Sequence, residues 1–256
     1  MEAITKTVKK YGNSGGVYLP NDWVGGRVRV ELVEEPASPL EILGKLPLQH
    51  AISVIVYGSF ARNEMTRDSD IDVILAVDED AKIDLPNIPR YDIQIMTVQQ
   101  LRSAMVHDPI FHKSISDSSN AIVNHGFLED LKKEKLNMSG VRTRIDLAES
   151  ALGITKSMLE YDGDFTKLTY SVILRIKEMI ILECLFSGKK YTTKLLKKDI
   201  LKSGIASQEF AKSIKVYREL RDNKKYESLP RDVILKMVSF LEAKIAHVKK
   251  QNKERN

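Results

Sequence analysis

Residues 52–77 read ISVIVYGSFARNEMTRDSDIDVILAV, and the alternation of apolar runs with polar interruptions there sets the expectation for the whole chain. ISVIVYG (52–58) and IDVILAV (71–77) are short, rich in β-branched residues and bounded by polar turns, which predicts two strands. Between them Gly58 and Ser59 open a turn, ten residues intervene, and Asp70-Ile71-Asp72 lead into the second strand. Side chains alternate along a strand, so Asp70 and Asp72 belong to one face. Two carboxylates that close repel each other unless a cation lies between them. Paired aspartates that leave positions for water and phosphate suit Mg2+ better than zinc. The expected substrate is a metal-bound nucleoside triphosphate.

The flanking residues extend this chemistry. Gly58 has no Cβ, so backbone can approach a phosphate closely, and Ser59 can donate its hydroxyl and amide to the oxygens. Arg62 and Arg67 can neutralise the leaving pyrophosphate, and Ser69 is counted with this phosphate set. A two-ion site needs a third acid on a neighbouring strand. YDIQIMT (91–97) predicts that strand, with DEDAKIDLPNIPR before it as a surface loop, and Asp92 is the candidate. Asp92 would help hold a second ion and accept the proton of an attacking hydroxyl. An ordinary carboxylate at the start of a strand is the plainer alternative.

Gly58-Ser59, ten residues, Asp70-x-Asp72 and the later Asp92 resemble the minimal nucleotidyltransferase branch of the polymerase-β-like superfamily. The match spans roughly residues 40–127 and includes FHKSISDSSNAIVNHG, which looks like the segment closing such domains. The resemblance implies that Asp70, Asp72 and Asp92 bind two Mg2+ ions, that Gly58 and Ser59 hold the triphosphate, and that a nucleoside monophosphate, AMP from ATP, passes to a hydroxyl acceptor. Asn63 departs from the pattern, since relatives commonly carry glycine there.

Charge divides the chain. Residues 131–256 hold 28 Lys and Arg against 16 acids, net +12, whereas residues 1–130 are net −7. The basic half can attract nucleic acid, dock on the acidic half, or present a solvated Lys-rich surface. From about residue 139 the pattern is helical: Ile173, Ile176, Ile180 and Cys184 share one spacing, as do Ile234, Met237, Leu241, Ile245 and Val248. Shorter helices are expected over 191–204 and 207–222, with a final helix starting near Pro230. This half resembles the HEPN-type bundles that accompany minimal nucleotidyltransferases, and that pairing implies a protein acceptor of the toxin-antitoxin kind. Ribonuclease activity is not expected, because in Arg221-Asp-Asn-Lys-Lys-Tyr226 a tyrosine replaces the HEPN histidine. Tyr226 is a candidate acceptor hydroxyl, or a structural tyrosine.

Residues 1–35 alternate apolar and polar residues, with Val28, Val30 and Leu32 on one face of an expected strand and glycines punctuating short turns. So small a β piece cannot bury a core alone. GNSGGVYLPNDW (12–23) resembles the AbrB/MazE-like swapped-hairpin family, which implies dimerisation and, in many members, DNA binding. Lys9, Lys10, Arg27 and Arg29 are the candidate phosphate contacts, yet the segment is net zero, which favours a homodimer. Trp23 is expected to pack.

The expected architecture is an α/β nucleotidyltransferase core with a mixed sheet (36–127), a small N-terminal β segment (1–35), and a C-terminal all-α bundle (139–250), with EEPASPLE as a linker. DNA or RNA are possible partners. The alternatives are a DNA-binding regulator with an inactive transferase fold, and a small-molecule transferase of the aminoglycoside type. Composition is that of a soluble globular chain, 43% hydrophobic and 29% charged. Charges interrupt the most apolar run, LTYSVILRIKEMIILECLF, so no membrane span is expected. The absence of a signal-like N-terminus and the single cysteine, Cys184, lead to a cytoplasmic expectation with no disulfide and no Cys-based metal site.

Overall fold

The computed structural model describes residues 4–6, 8–31, 39–65, 69–79, 82–85, 88–161 and 163–255, the Lys10 side chain excepted. Residues 1–38 and 39–256 form two compact units.

In the first unit, β1 (Lys9–Tyr11) and β2 (Ser14–Gly16) make an antiparallel hairpin in which Tyr11 faces Ser14. Gly12 turns it with φ +57°. The strand expected at Val28 and Val30 does not form: residues 26–31 carry no regular secondary structure and no ladder bonds, and both valines are exposed. Alternation alone does not make a strand when no partner edge accepts its backbone groups. Leu32 and most of the expected linker lie outside the described residues.

The second unit opens with 3-10 turns over Pro39–Lys45 and Leu48–His50. Pro47 and Gly44 interrupt that stretch before a helix can propagate. Then follow β3 (Ala51–Tyr57), α1 (Gly58–Ala61), β4 (Ile71–Val77), β5 (Tyr91–Thr97), α2 (Val98–His107), α3 (Pro109–Asp117), β6 (Asn120–Val123) and α4 (His125–Leu131). The sheet order is β5-β4-β3-β6, with β4 and β5 parallel and the other pairs antiparallel. β4 is central, and Val73, Ile74, Leu75, Ala76 and Val77 are all buried, as a strand covered on both faces must be.

One face of the sheet packs Ile55, Ile74 and Ala76 against Leu101 and Met105 of α2, Ile115 of α3 and Leu128 of α4. Helix ends are fixed locally. Thr97 and Gln100 cap α2 reciprocally, and the Asp108 carboxylate accepts from the Ile110 and Phe111 amides at the start of α3.

The bundle comprises α5 (Ser139–Met158), α6 (Leu168–Ser187), α7 (Thr193–Lys202), α8 (Ser207–Arg221) and α9 (Arg231–Lys253). α6 is its axis: Ile173, Ile176, Met179, Ile180 and Cys184 are buried among residues of α5, α8 and α9. Gly188, at φ +66°, ends α6, and Pro230 precedes α9. α3 packs on α6, so the sheet and bundle share a boundary at the end of β4 that carries the aspartates. Among the described residues no helix is long and apolar enough to cross a membrane.

Candidate active site

Tyr57, Asp72 and Asp92 lie in register across β3, β4 and β5. Register partners share a face, and adjacent strands run about 4.8 Å apart. The row belongs to the same alternation as Ile55, Ile74, Ala76 and Met96, so a single sheet face is apolar over β3 and β4 and carboxylate-bearing at one end. Burial, reinforced by the neighbouring Asp92 charge and by Asp70, pushes the Asp72 carboxyl up to about 6 against the opposing pull of Arg62. Burial, with Asp72 and Asp92, also pushes the Tyr57 hydroxyl well up. Two acids have thus been placed side by side.

The Gly58 turn follows directly. Gly58 has φ +73°, and a Cβ built on it would fall 2.0 Å from Asp72 Oδ2. Glycine is required both by backbone conformation and by the carboxylate above it. Asn63 closes the same loop at φ +56°. Asparagine tolerates the left-handed region better than other side chains with a Cβ, which explains how it stands where glycine was expected. Arg62 Nε donates to Glu64 Oε2 at 3.0 Å, and the Thr193 amide and hydroxyl of α7 both donate to Glu64, each at 3.0 Å. Burial raises the Glu64 pKa, but these bonds outweigh it and hold the carboxyl below its ordinary value. The loop after Gly58 is therefore strapped to the bundle.

The bundle also sends cations into the site. Arg221 Nη2, at the end of α8, pairs with Asp70 Oδ2 at 3.0 Å. Lys177 of α6 lies over the Tyr217 ring at 5.2 Å, and Tyr217 stacks on Tyr170. Burial depresses the Lys177 pKa, and Arg62, Arg221 and Arg218 depress it further against the pull of Asp72. Lys177 and Arg62 thus act on Asp72 while Arg221 holds Asp70, and cations gathered beside carboxylates suit a metal-bound polyphosphate. Sequence reading missed Lys177 and Arg218, and connected Arg221 only with Tyr226. The available signal was a lysine in the most apolar helix of the chain, where a charge needs a reason.

Aspartate oxygens are hard donors suited to a divalent ion, and the unsatisfied pair at Asp72 and Asp92 is the arrangement such an ion relieves. Among the described residues no three acidic, His or Cys side chains are yet gathered into a metal-ligand cluster, and Asp70 is turned to Arg221. The residues fit the ion once Arg221 releases Asp70.

Of the other residues singled out, Arg67 lies outside the described residues. Ser69 and Asp70 lead into β4, and Ser59 is the second residue of α1. The Tyr226 hydroxyl donates to Asp164 Oδ2 at 2.7 Å, a bond that raises its pKa. Lys9 is exposed on β1, and Arg27 and Arg29 are exposed in the irregular 26–31 segment. Cys184 is buried.

The family model for the nucleotidyltransferase domain matches residues 40–207. No curated protein matches the chain. Among solved structures, the chain is similar to the spectinomycin adenyltransferase AAD(9) from Enterococcus faecialis, solved with ATP and spectinomycin, at 14% identity and TM-score 0.48 over 81% of this chain and 98% of that one. Because the domain model covers well over half of the 256 residues and runs from before the sheet into the bundle, the chain belongs to the nucleotidyltransferase domain family.

Proposed function

We propose that this nucleotidyltransferase moves a nucleoside monophosphate, AMP from ATP, onto a hydroxyl acceptor and releases pyrophosphate. The observation that carries the reading is the in-register pair Asp72 and Asp92 beside the Gly58 turn, faced by Arg62, Lys177, Arg218 and Arg221. Asp70, Asp72 and Asp92 would hold two Mg2+ ions, which when bound supply charge to the α-phosphate and lower the pKa of the attacking hydroxyl. Gly58 and Ser59 admit the phosphates. Arg62 and the bundle cations neutralise the β- and γ-phosphates as charge moves onto the leaving group. Asp92 takes the hydroxyl proton. Incubation with Mg2+ and each α-labelled NTP tests this, with label followed into protein, RNA and small molecules. Asp70→Ala/Asp72→Ala should abolish both labelling and pyrophosphate release, and label that persists in that variant refutes the assignment.

Residues 1–35 serve in this reading as a dimerising AbrB-like hairpin, 36–127 as the transferase domain and 139–250 as a HEPN-like bundle that completes its site. The exposed apolar side chains Val8, Tyr11, Tyr18, Val24 and Val30 support dimerisation, since a small β unit must bury such surface elsewhere. Tyr18→Asp/Val24→Asp should yield monomers in light scattering. The regulator reading predicts instead salt-dependent DNA binding through Lys9, Lys10, Arg27 and Arg29 with no pyrophosphate release. For the toxin-antitoxin reading, Tyr226 is the acceptor to test, as loss of protein labelling in Tyr226→Phe.

A further inference from the structure

Residues 187–204, SGKKYTTKLLKKDILKSG, contain six lysines and a single acid. Lys189, Lys190, Lys194, Lys197, Lys198 and Lys202 are all exposed. The one acid, Asp199, is drawn to Lys244 of α9 at 2.8 Å, with Lys202 only at 3.9 Å. On other faces of the bundle several lysines are matched: Lys156 with Glu242, Lys249 with Glu149, Lys236 with Glu209. Among the described residues the first five lysines of this stretch have no carboxylate partner. Like charges left unpaired on one short helix are mutually repulsive, so the surface is arranged for an external anion.

Its shape and position narrow the choice. Leu196 and Ile200 are buried, which turns Lys194, Lys197, Lys198 and Lys202 outward on the solvent side of α7. From Lys194 to Lys202 the helix rises about 12 Å, the span of two or three phosphates of an extended strand. The stripe begins beside the nucleotide loop: Thr193 holds Glu64, and Arg62 lies over the Tyr191 ring at 5.4 Å. A polycationic acceptor such as an aminocyclitol would approach against this field, whereas a polyanion with a terminal hydroxyl would be drawn along it.

We propose that the lysine face of α7 binds the single-stranded 3′ end of an RNA and delivers its terminal hydroxyl as the acceptor. This rests on the transferase reading above. The 3′ oxygen attacks the α-phosphorus and forms the new O–P bond. The bond from the α-phosphorus to the bridging oxygen breaks, pyrophosphate leaves with the electron pair, and the hydroxyl proton passes to Asp92.

Binding and transfer are measured separately on the full chain. A 5′-fluorescein 12-mer RNA is titrated against the wild type, against Asp70→Ala/Asp72→Ala, and against Lys194→Gln/Lys197→Gln/Lys198→Gln, with Lys156→Gln/Lys249→Gln as the control for lysines on other faces. The α7 triple should weaken binding on the order of 10- to 100-fold near 0.1 M salt and reduce the salt slope by about 2, while the control and the aspartate variant still bind. With α-labelled ATP, label should enter RNA with a free 3′ end and not the same RNA closed by a 3′ phosphate. No RNA binding at 50 mM salt, equal binding by the triple, or binding only to phosphatidylserine vesicles overturns the surface. RNA bound through α7 while label enters protein or a small molecule overturns the acceptor and leaves the transferase reading standing. No label anywhere, with RNA still bound through α7, overturns the transferase reading and the delivery step together, and leaves the binding surface.

Discussion

Arg221 of α8 and Asp70 at the entrance to β4 are 151 residues apart in sequence and form an ion pair at 3.0 Å. Arg221 is also held by Asp222 at 2.7 Å. The pair occupies the carboxylate oxygen that a divalent ion would need. Arg221→Ala is expected to strengthen Mn2+ binding in the absence of nucleotide, read by electron paramagnetic resonance. The same change removes a counter-ion from the phosphates, so KM for the NTP should rise by about tenfold. Mn2+ affinity unchanged or weakened in Arg221→Ala would show that the pair does not compete with metal.

Gly58 allows a sharper test. Its positive φ costs an L-residue roughly 1–2 kcal/mol, and the added Cβ must also displace the Asp72 carboxylate, 2.0 Å away. Gly58→Ala should therefore lower thermal stability and abolish transfer together. Asn63→Gly should leave both nearly unchanged, because glycine accepts the same φ, whereas Asn63→Ala should cost about 1 kcal/mol in urea unfolding.

These residues differ in how far sequence could reveal them. Asp72 and Asp92 were legible because strand alternation and a short β-rich spacing act locally, and the parallel register of β4 and β5 then brings them together. Lys177, Arg218 and Arg221 were not. Their approach to the sheet is set by how α6 and α8 pack, and an arginine on a helix looks in sequence like any solvated charge. Lys177 was visible as an interruption of an apolar run, but it served only to argue against a membrane span. β6, four residues long, carries too few positions for alternation to declare it, and only its ladder with β3 makes it a strand. Val28 and Val30 err in the opposite direction, with the pattern present and the partner edge missing among the described residues.

The Asp72 carboxyl sets a pH dependence with a definite sign. Its folded pKa of about 6 exceeds the ordinary 3.8, so the folded, metal-free protein keeps a proton that the unfolded chain has already released. Stability of the metal-free protein should fall as pH rises from about 4 to about 6, by at most about 3 kcal/mol, and stay lower above that. Asp72→Asn should raise Tm at pH 7.5 and give no gain below pH 4, at the expense of activity. Asp92→Asn removes a charge that raises Asp72, so the fall should shift to lower pH. A divalent ion favours the ionised form, and Mn2+ affinity should therefore increase through the same interval. A flat melting profile from pH 4 to 7 would contradict the raised Asp72 carboxyl.

Glu64 and Thr193 join the nucleotide loop to the first turn of α7, and the consequence is both structural and kinetic. The Glu64 carboxylate accepts from the Thr193 amide and hydroxyl and from Arg62, which in turn lies over Tyr191. Glu64→Gln retains the shape but removes the charge that strengthens these bonds, and should cost about 1–2 kcal/mol in urea unfolding. Because the Glu64 pKa is held below its ordinary value of 4.5, this contribution is present above that pH in the wild type and disappears as pH falls through the lowered value. The stability difference between wild type and Glu64→Gln should shrink on acidification. Arg62 loses its brace in the variant, so KM for the NTP should increase several-fold while kcat changes less. A fall in kcat with KM unchanged would mean that the clasp positions the reacting groups rather than the phosphates.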